Sequence, residues 1–536
     1  MAAPAPPSVE ELAGLVESAQ AVLDTALARL GADGGADAHQ ARTYDLAHGA
    51  SAIAAARAAL GYARRGDTEA RLVAVFLAHA LGELAGRIAG REHAWGLGPD
   101  WFTPFAEHAA TYRDPAVVAA LAESPGERHL GEDFELVAQT FRRFADERVR
   151  PVAEAIHRHN ADIPESVIDG LNELGGFGLS VPEAFGGFAT GTESDYLGMV
   201  VATEELSRAS LGVGGSLITR PEIMTRALLA GGTTEQKSYW LPRLASAETL
   251  CAIAVTEPDY GSDVAGITTS ATRTAGGWLL SGTKTWCTFA ARADVLVLLA
   301  RTDPDRTKAH RGLSLFLVDK PRGESAGFLF TQDAAAEGRA DPDGRLEGRP
   351  IDTLGYRGMH SYELSLDNWF VPDDRLIGAE AGLGRGFYFQ MAGFENGRLQ
   401  TAARAVGVMQ AAYEAALDYA RHRVVFGRPI VEYELTRVKL GLMASIVQCS
   451  RQFALAVARR MAEGDGALEA SMAKAYVCRA AEWVTREAQQ IHGGMGYAEE
   501  YAVSRYFVDA RVLSIFEGAD ETLCLKVIAR RLLEGR

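Results

Sequence analysis

The chain has 536 residues, 48% hydrophobic and 23% charged, with 54 basic against 70 acidic side chains and a net charge of -16. That length exceeds one hydrophobic core and calls for about three or four domains. The acidic balance disfavours non-specific nucleic-acid binding, which needs a basic face, while leaving room for a local basic pocket. The five cysteines, Cys251, Cys287, Cys449, Cys478 and Cys524, are widely spaced and form no C-x-x-C. They read as reduced thiols of a cytoplasmic protein, without disulfides, zinc or another metal. The N-terminus "MAAPAPPSVEELAG" lacks the basic and apolar regions of a signal peptide. No run of about 18 uninterrupted apolar residues exists to cross a membrane.

Residues 1–125 read as a helical extension. "DLAHGASAIAAARAALGYARRG" and "EARLVAVFLAHALGELAGRIAG" repeat apolar residues at helical spacing. "LAESPGERHLGED" (121–133) has the Pro, Gly and charges of a linker. Residues 126–250 form a second helical domain, with Pro151 following a first helix or marking a kink. From 251 to 372 the runs are short and rich in β-branched and aromatic residues, and Gly276-Gly277 marks a hairpin turn. Within this β domain the polar stretch "DAAAEGRADPDGRLEGRP" (333–350) is expected to be a surface loop. Residues 373–536 return to helical periodicity: a stripe from Val406 to Ala420, a second from Met443 to Val457, a third helix over about 467–491 and a fourth from about 519. Four such helices predict a bundle.

No G-x-G-x-x-G follows a strand and no P-loop occurs. "AVTEPDYGSDVAG" (254–266) runs from a strand into a turn of Gly, Ser and Asp. It could offer N–H groups and hydroxyls to an acceptor-rich ligand, or be an ordinary tight loop. In "GTKTWCTFAARAD" (282–294) strand alternation puts Trp286 and Thr288 on one face, which suits a flat heterocycle or a β core. "QQIHGGMGYAEEY" (489–501) could be a plain helix end. In "RVLSIFEGADET" (511–522) Glu517 follows an apolar run and precedes Gly518, with no Lys or Arg close behind it in sequence. It reads as an acid in the first turn of the last helix, or as a base that Leu513, Ile515 and Phe516 desolvate and so strengthen.

Taken together and in this order, "AVTEPDYGSDVAG", "GTKTWCT", "RHRVVFGRPI", "QQIHGGMGY" and "SIFEGADET" resemble the acyl-CoA dehydrogenase family, over about 134–536. The resemblance implies an α+β, mostly α fold: a helical domain, a β domain and a C-terminal four-helix bundle, with the N-terminal helical extension outside the common fold. It implies FAD as cofactor and oxidation of the α,β bond of an acyl-CoA. A carboxylate removes the α proton and the β hydrogen leaves as hydride; a flavin ribityl hydroxyl and the base's own N–H polarise the thioester. Glu517 matches the base. Val255, Thr256, Ser262, Trp286 and Thr288 match flavin positions, Glu521 joins them, and Arg423, Phe426, Gln490, Gly493 and Gly494 match residues reaching the FAD of a neighbouring subunit. The implied assembly is a homo-oligomer, dimer or tetramer, with an electron-transferring flavoprotein as electron acceptor. Ser262, Arg398, Phe516 and Gly518 match positions near the substrate. Gly397 stands where some members carry the base, and Glu395 lies about half a helical turn away. Tyr260, Val425, Ala519, Met359, His360 and Tyr362 depart from the family pattern.

The extension, with "GYARRGDTEARL" and "REHAWGLGPDWF", and the stretches "SLITRPEIMTRAL" and "LGYRGMHSYEL" resemble one branch of the family. Its substrate is a short, branched dicarboxylic acyl-CoA of the methylsuccinyl type, and the likeness would then cover nearly the whole chain. A free carboxylate in the acyl group requires a cation or several donors. Arg220 is the first candidate, Arg208 and His360 the second, against the alternative of ordinary salt bridges. Gly397 would leave room for the branch. A dehydrogenase of another short or branched acyl-CoA, such as butyryl, isobutyryl or glutaryl, stays open, as does an acyl-CoA oxidase. A flavin-binding assembly or nucleic-acid factor is disfavoured by Glu517 and the acidic charge.

Overall fold

The computed structural model describes residues 5–535, which divide into two compact units. One gathers the chain up to Arg142, Val200–Ala209 and the chain from Arg398 onward; the other gathers Arg143–Met199 and Ser210–Gly397.

The helices in chain order begin with α1 (Val9–Ala32), α2 (Gln40–Ala63), α3 (Asp67–Ile88), α4 (Ala106–Tyr112), α5 (Pro115–Ala120) and α6 (Glu132–Phe144). There follow α7 (Arg150–His159), α8 (Glu165–Glu173), α9 (Glu193–Ala209), α10 (Thr219–Gly231) and α11 (Thr234–Ala245). After the strands come α12 (Gly386–His422), α13 (Glu434–Ala462), α14 (Ala467–His492), α15 (Ala502–Leu513), α16 (Asp520–Thr522) and α17 (Ala529–Glu534).

In the first unit, small residues let the extension merge with the bundle. Along α2, Ala47, Ala55, Ala56 and Ala59 are fully buried. A Cβ on Gly49 would come within 2.9 Å of Leu84, so α2 and α3 pack close. On α13, a Cβ on Gly441 would lie 2.0 Å from the Val118 carbonyl, which seats α5 directly on that helix. The stretch expected to be a linker is pinned: Gln448 donates to the Pro125 and Gly126 carbonyls at 2.7 and 3.2 Å. Arg128 and Arg142 both bind the buried Glu205. The most apolar window of α13, the one helix among the described residues long and apolar enough to cross a membrane, is 83% buried in the protein.

The second unit is built on an eight-stranded sheet, β1 (Cys251–Ala254), β2 (Ser270–Thr274), β3 (Gly277–Thr288), β4 (Val295–Arg301), β5 (Leu313–Asp319), β6 (Phe328–Gln332), β7 (Gly344–Ile351) and β8 (Ser361–Pro372). The order is β1-β4-β2-β3-β8-β7-β6, with β5 on β4. Strand β4 runs parallel to β1 and β2; the other pairs are antiparallel. The β2–β3 hairpin pairs Thr274 with Gly277, so Ala275 and Gly276 make the turn, with Gly276 at φ 77°. Val295, Val297 and Leu299 of β4 and Leu313, Leu315 and Leu317 of β5 bury against Met224 and Leu228 of α10 and Trp240 and Leu244 of α11.

Two expectations are corrected. The second half of 333–350 is strand β7, paired on both sides. Its inward positions include Gly344 and Gly348, and a Cβ on Gly348 would come within 2.3 Å of the Phe328 ring. The inward face is filled by a neighbour's aromatic ring, so no apolar alternation is visible in the sequence. The last helix is also less simple than expected: α15 precedes it, and it begins at Asp520 with α16, widens to a π-helical segment over Leu523–Ile528 and ends as α17.

Candidate active site

Glu517 lies in the loop between α15 and α16, not in a helical first turn. Its φ is 54° and that of Gly518 is 99°, two successive residues in the left-handed region. Glycine takes this conformation readily, whereas a glutamate adopts it only where surrounding contacts hold it. Those contacts are present. Buried Lys474 of α14 donates to the Gly518 carbonyl at 2.5 Å. Ser514 donates to Glu482 at 2.5 Å, the Asp520 N–H donates to the Ser514 carbonyl at 3.1 Å, and the Arg404 guanidinium lies 4.9 Å from the Phe516 ring centre.

Burial lowers the Lys474 ammonium, while the charges of Asp520 and Glu517 oppose that shift. The cation that the sequence does not place behind Glu517 is thus supplied by another helix. The expected apolar enclosure is incomplete: Leu513 is buried, but Ile515 is 53% exposed. No acceptor among the described residues takes the Glu517 backbone N–H. Arg398 on α12 donates to Ser471 at 3.2 Å.

In the second unit, β1 delivers buried Val255 and half-buried Thr256 to a turn closed by the Glu257–Tyr260 bridge, with Ser262 exposed beyond it. The Thr256 carbonyl accepts from the Thr285 N–H at 2.9 Å, which brings the neighbouring Trp286 to this turn. The pairing of β3 with β8 slips between Lys284 and Cys287, and Trp286 takes φ 58°. The side-chain alternation is thus reset by a bulge. Trp286 is 57% exposed, Cys287 buried and Thr288 half-buried.

An ion pair that the sequence reading passed over holds this corner. Lys284 Nζ donates to Glu257 Oε1 and to the Val255 carbonyl, both at 2.9 Å, and Glu257 also accepts from the Thr268 and Thr269 N–H groups. Burial would raise the Glu257 carboxyl, but the Lys284 charge and these hydrogen bonds outweigh it and bring it down to about 2. The signal was a Glu and a Lys inside the two flavin-like motifs, whose partnership only the fold reveals.

The three candidates for an acyl carboxylate fare differently. Arg220, at the start of α10, donates Nε to the Thr288 carbonyl at 3.3 Å, Nη1 to the Ser216 carbonyl at 2.7 Å and Nη2 to the Tyr356 hydroxyl at 3.2 Å. No carboxylate among the described residues pairs with it. Arg208 is engaged by Glu414, with contacts of 2.9 to 3.1 Å, which is the ordinary salt bridge weighed against a substrate role. His360 uses both ring nitrogens, Nδ1 with Asp162 at 2.8 Å and Nε2 with the Asn160 carbonyl at 3.0 Å. The Asp162 hydrogen bond raises it despite burial.

The residues expected to reach a neighbouring subunit's flavin lie on the surface of the first unit. Arg423, Gln490, Gly493, Gly494 and Glu521 are exposed, and Phe426 is 94% exposed at φ 48°. Tyr419 and His492 stack at 4.2 Å and join the end of α12 to the Gly493 corner. A Cβ on Gly493 or Gly494 would meet nothing within 4 Å. Within the second unit, the uncovered Trp286 ring beside the Thr256 turn fits a large planar group. All five cysteines are buried and free. His48, Asp520 and Cys524 approach one another closely enough to hold an ion, a cluster the sequence reading did not anticipate.

By its domains and relatives the chain is an oxidoreductase acting on a CH–CH bond, of a flavoprotein family. The comparisons specify it. The acyl-CoA dehydrogenase N-terminal, middle and C-terminal domains match residues 131–248, 252–369 and 384–533. The chain belongs to the acyl-CoA dehydrogenase family. It is 44% identical over 410 residues to a (2S)-methylsuccinyl-CoA dehydrogenase of Cereibacter sphaeroides, a match covering 76% of this chain and 71% of that one. This falls short of the near-complete span expected for that branch. Two solved structures are similar: a glutaryl-coenzyme A dehydrogenase–glutaryl-CoA complex (30% identity, TM-score 0.67, 76% of this chain and 97% of that chain) and butyryl-CoA dehydrogenase from Megasphaera elsdenii (27%, 0.66, 76% and 99%).

Proposed function

We propose that the protein is a FAD-dependent dehydrogenase of a short, branched dicarboxylic acyl-CoA, converting (2S)-methylsuccinyl-CoA to mesaconyl-CoA. The observation that carries the substrate class is the state of Arg220. A guanidinium has five N–H donors; Arg220 spends three on neutral oxygens, one from each nitrogen. Two are left, one on each terminal nitrogen, the number a carboxylate takes in a bidentate pair. The identity to the Cereibacter enzyme supports the same substrate.

In this reading Glu517 takes the α proton. Its backbone N–H, without a protein acceptor, is available to the thioester oxygen, where negative charge gathers as the proton leaves. Lys474 fixes the Gly518 carbonyl and so keeps the carboxylate and that N–H in one frame. Arg220 orients the acyl group by its distal carboxylate; Arg398, Phe516 and Gly518 complete the substrate surroundings. Bound FAD would accept the β hydrogen as hydride. Val255, Thr256, Ser262, Trp286 and Thr288 would hold it, with Glu521, and Arg423, Phe426, Gln490, Gly493 and Gly494 would reach the FAD of a neighbouring copy. The exposure of Phe426 supports such a homo-oligomer. An electron-transferring flavoprotein is the electron acceptor in this reading, and five free thiols suit a reducing, cytoplasmic setting.

The test is a panel of acyl-CoAs added to the purified holoenzyme without oxygen, following the flavin absorbance. Methylsuccinyl-CoA is expected to bleach it fully and fastest. Full bleaching by butyryl-CoA with none by methylsuccinyl-CoA would overturn the substrate class, and peroxide formed at the rate of turnover would make the enzyme an oxidase.

A further inference from the structure

The extension and the Glu517 loop meet inside the first unit at one buried carboxylate. Asp520 opens α16 three residues after Glu517. Its Oδ2 accepts from the Tyr44 hydroxyl at 2.5 Å and from His48 Nε2 at 3.0 Å, both donors on α2 of the extension. Tyr44 and His48 pack edge to face at 4.7 Å, and Arg479 donates to the Tyr44 oxygen at 3.1 Å. Burial pushes His48 down, against the hydrogen bond and charge of Asp520, which pull it up. Burial alone would raise Asp520, and the hydrogen bonds from His48 and Tyr44 more than offset that.

The loop from Ser514 to Asp520 is therefore tied at three places. Glu482 holds Ser514 and Lys474 holds Gly518, both from α14, and the extension holds Asp520. Two ties come from the bundle itself, the third from residues more than 470 positions away in sequence. A left-handed glutamate keeps its conformation only while both ends of its loop are fixed, and displacing a reacting group by about 1 Å costs roughly 100-fold in rate.

We propose that Tyr44 and His48 are positioning residues for Glu517, so that the extension sets the geometry of the base through Asp520. This rests on Glu517 being the base. Tyr44→Phe removes one hydroxyl, and His48→Ala removes the second donor. In each, kcat is expected to fall about 10- to 100-fold, with the KM for acyl-CoA and the flavin content near wild type. The deuterium isotope effect on the α C–H bond should rise as proton removal becomes limiting. His108→Ala serves as control: this buried extension histidine bonds the Ala74 carbonyl and has no tie to the loop; its kcat is expected to stay unchanged.

Wild-type kcat in both variants, or an equal loss in the His108→Ala control, overturns the proposal. So does one equivalent of zinc per chain in the purified enzyme that His48→Ala removes, since His48, Asp520 and Cys524 would then be a metal site. Glu517→Gln is assayed alongside. If it keeps turnover, the base assignment itself falls and this inference with it; if it is dead while Tyr44→Phe and His48→Ala are fully active, only this inference fails.

Discussion

Arg220→Met deletes the guanidinium proposed to receive the acyl carboxylate. The two uncommitted N–H groups of Arg220 would form two charge-assisted hydrogen bonds, each contributing about 1.5–3 kcal/mol. Because Arg220 is only half-buried, solvent screening reduces the sum to about 3–4 kcal/mol. At about 1.4 kcal/mol per tenfold, kcat/KM for methylsuccinyl-CoA should fall about 100- to 1000-fold. The substitution also frees the Ser216 and Thr288 carbonyls and the Tyr356 hydroxyl, a structural loss that burdens every substrate alike. The assay is therefore a ratio. Steady-state kcat/KM is measured for methylsuccinyl-CoA and for 2-methylbutyryl-CoA, which keeps the branch but carries a methyl in place of the distal carboxylate. The ratio should collapse in Arg220→Met and recover in part in Arg220→Lys, which keeps the charge but not the fork. An equal loss for both substrates would show that Arg220 only supports the fold around Ser216 and Thr288, and would refute the argument.

Glu517→Gln should lower kcat by about 100- to 10,000-fold, the contribution of a general base, while flavin content and thermal midpoint stay near wild type; full turnover in the variant rules out the base assignment. Lys284→Met should destabilise the second unit by about 3–5 kcal/mol, because it leaves the buried Glu257 without its counter-charge. Denaturant unfolding measures this, and a loss under about 1 kcal/mol would mean the pair is replaceable. For His360 the pairing with Asp162 lifts the folded-state value above the ordinary 6.5. Its contribution is complete below pH 6.5 and disappears as pH rises through the folded-state value. His360→Gln should therefore cost about 1 kcal/mol more at pH 5.5 than at pH 8.5, with part of the pair's strength lost to solvent at Asp162. The opposite slope in urea titrations would contradict the pairing.

Much of the architecture was legible because it depends on local pattern. Helical stripes in α12, α13 and α14 and the β-branched runs of β1, β3, β4, β5 and β8 carry their own periodicity. Strand β7 was not legible: its inward positions include Gly344 and Gly348, and the apolar group that fills the space at Gly348 is the Phe328 ring of another strand. The bulge at Trp286 escaped notice for a related reason, since a register slip is a property of two strands and not of one.

The candidate site divides along the same line. Sequence order alone determined the family and nominated Glu517, because a run of spaced motifs is one-dimensional information. What the tertiary structure decided was which charges meet. Glu517 has no cationic neighbour close behind it in the chain, yet the loop that carries it rests on Lys474. Arg220 and, second to it, Arg208 were both candidates for the acyl carboxylate, but Arg208 is engaged by Glu414 while Arg220 holds only neutral oxygens. Glu257 and Lys284 sat in separate motifs and proved to be one buried pair. Asp520 gave no hint of partners on α2. The strength and meaning of a charge depend on its burial and on what lies within a few ångströms, and here those neighbours lie from 27 residues away in the chain, for Glu257 and Lys284, to 476, for Asp520 and Tyr44.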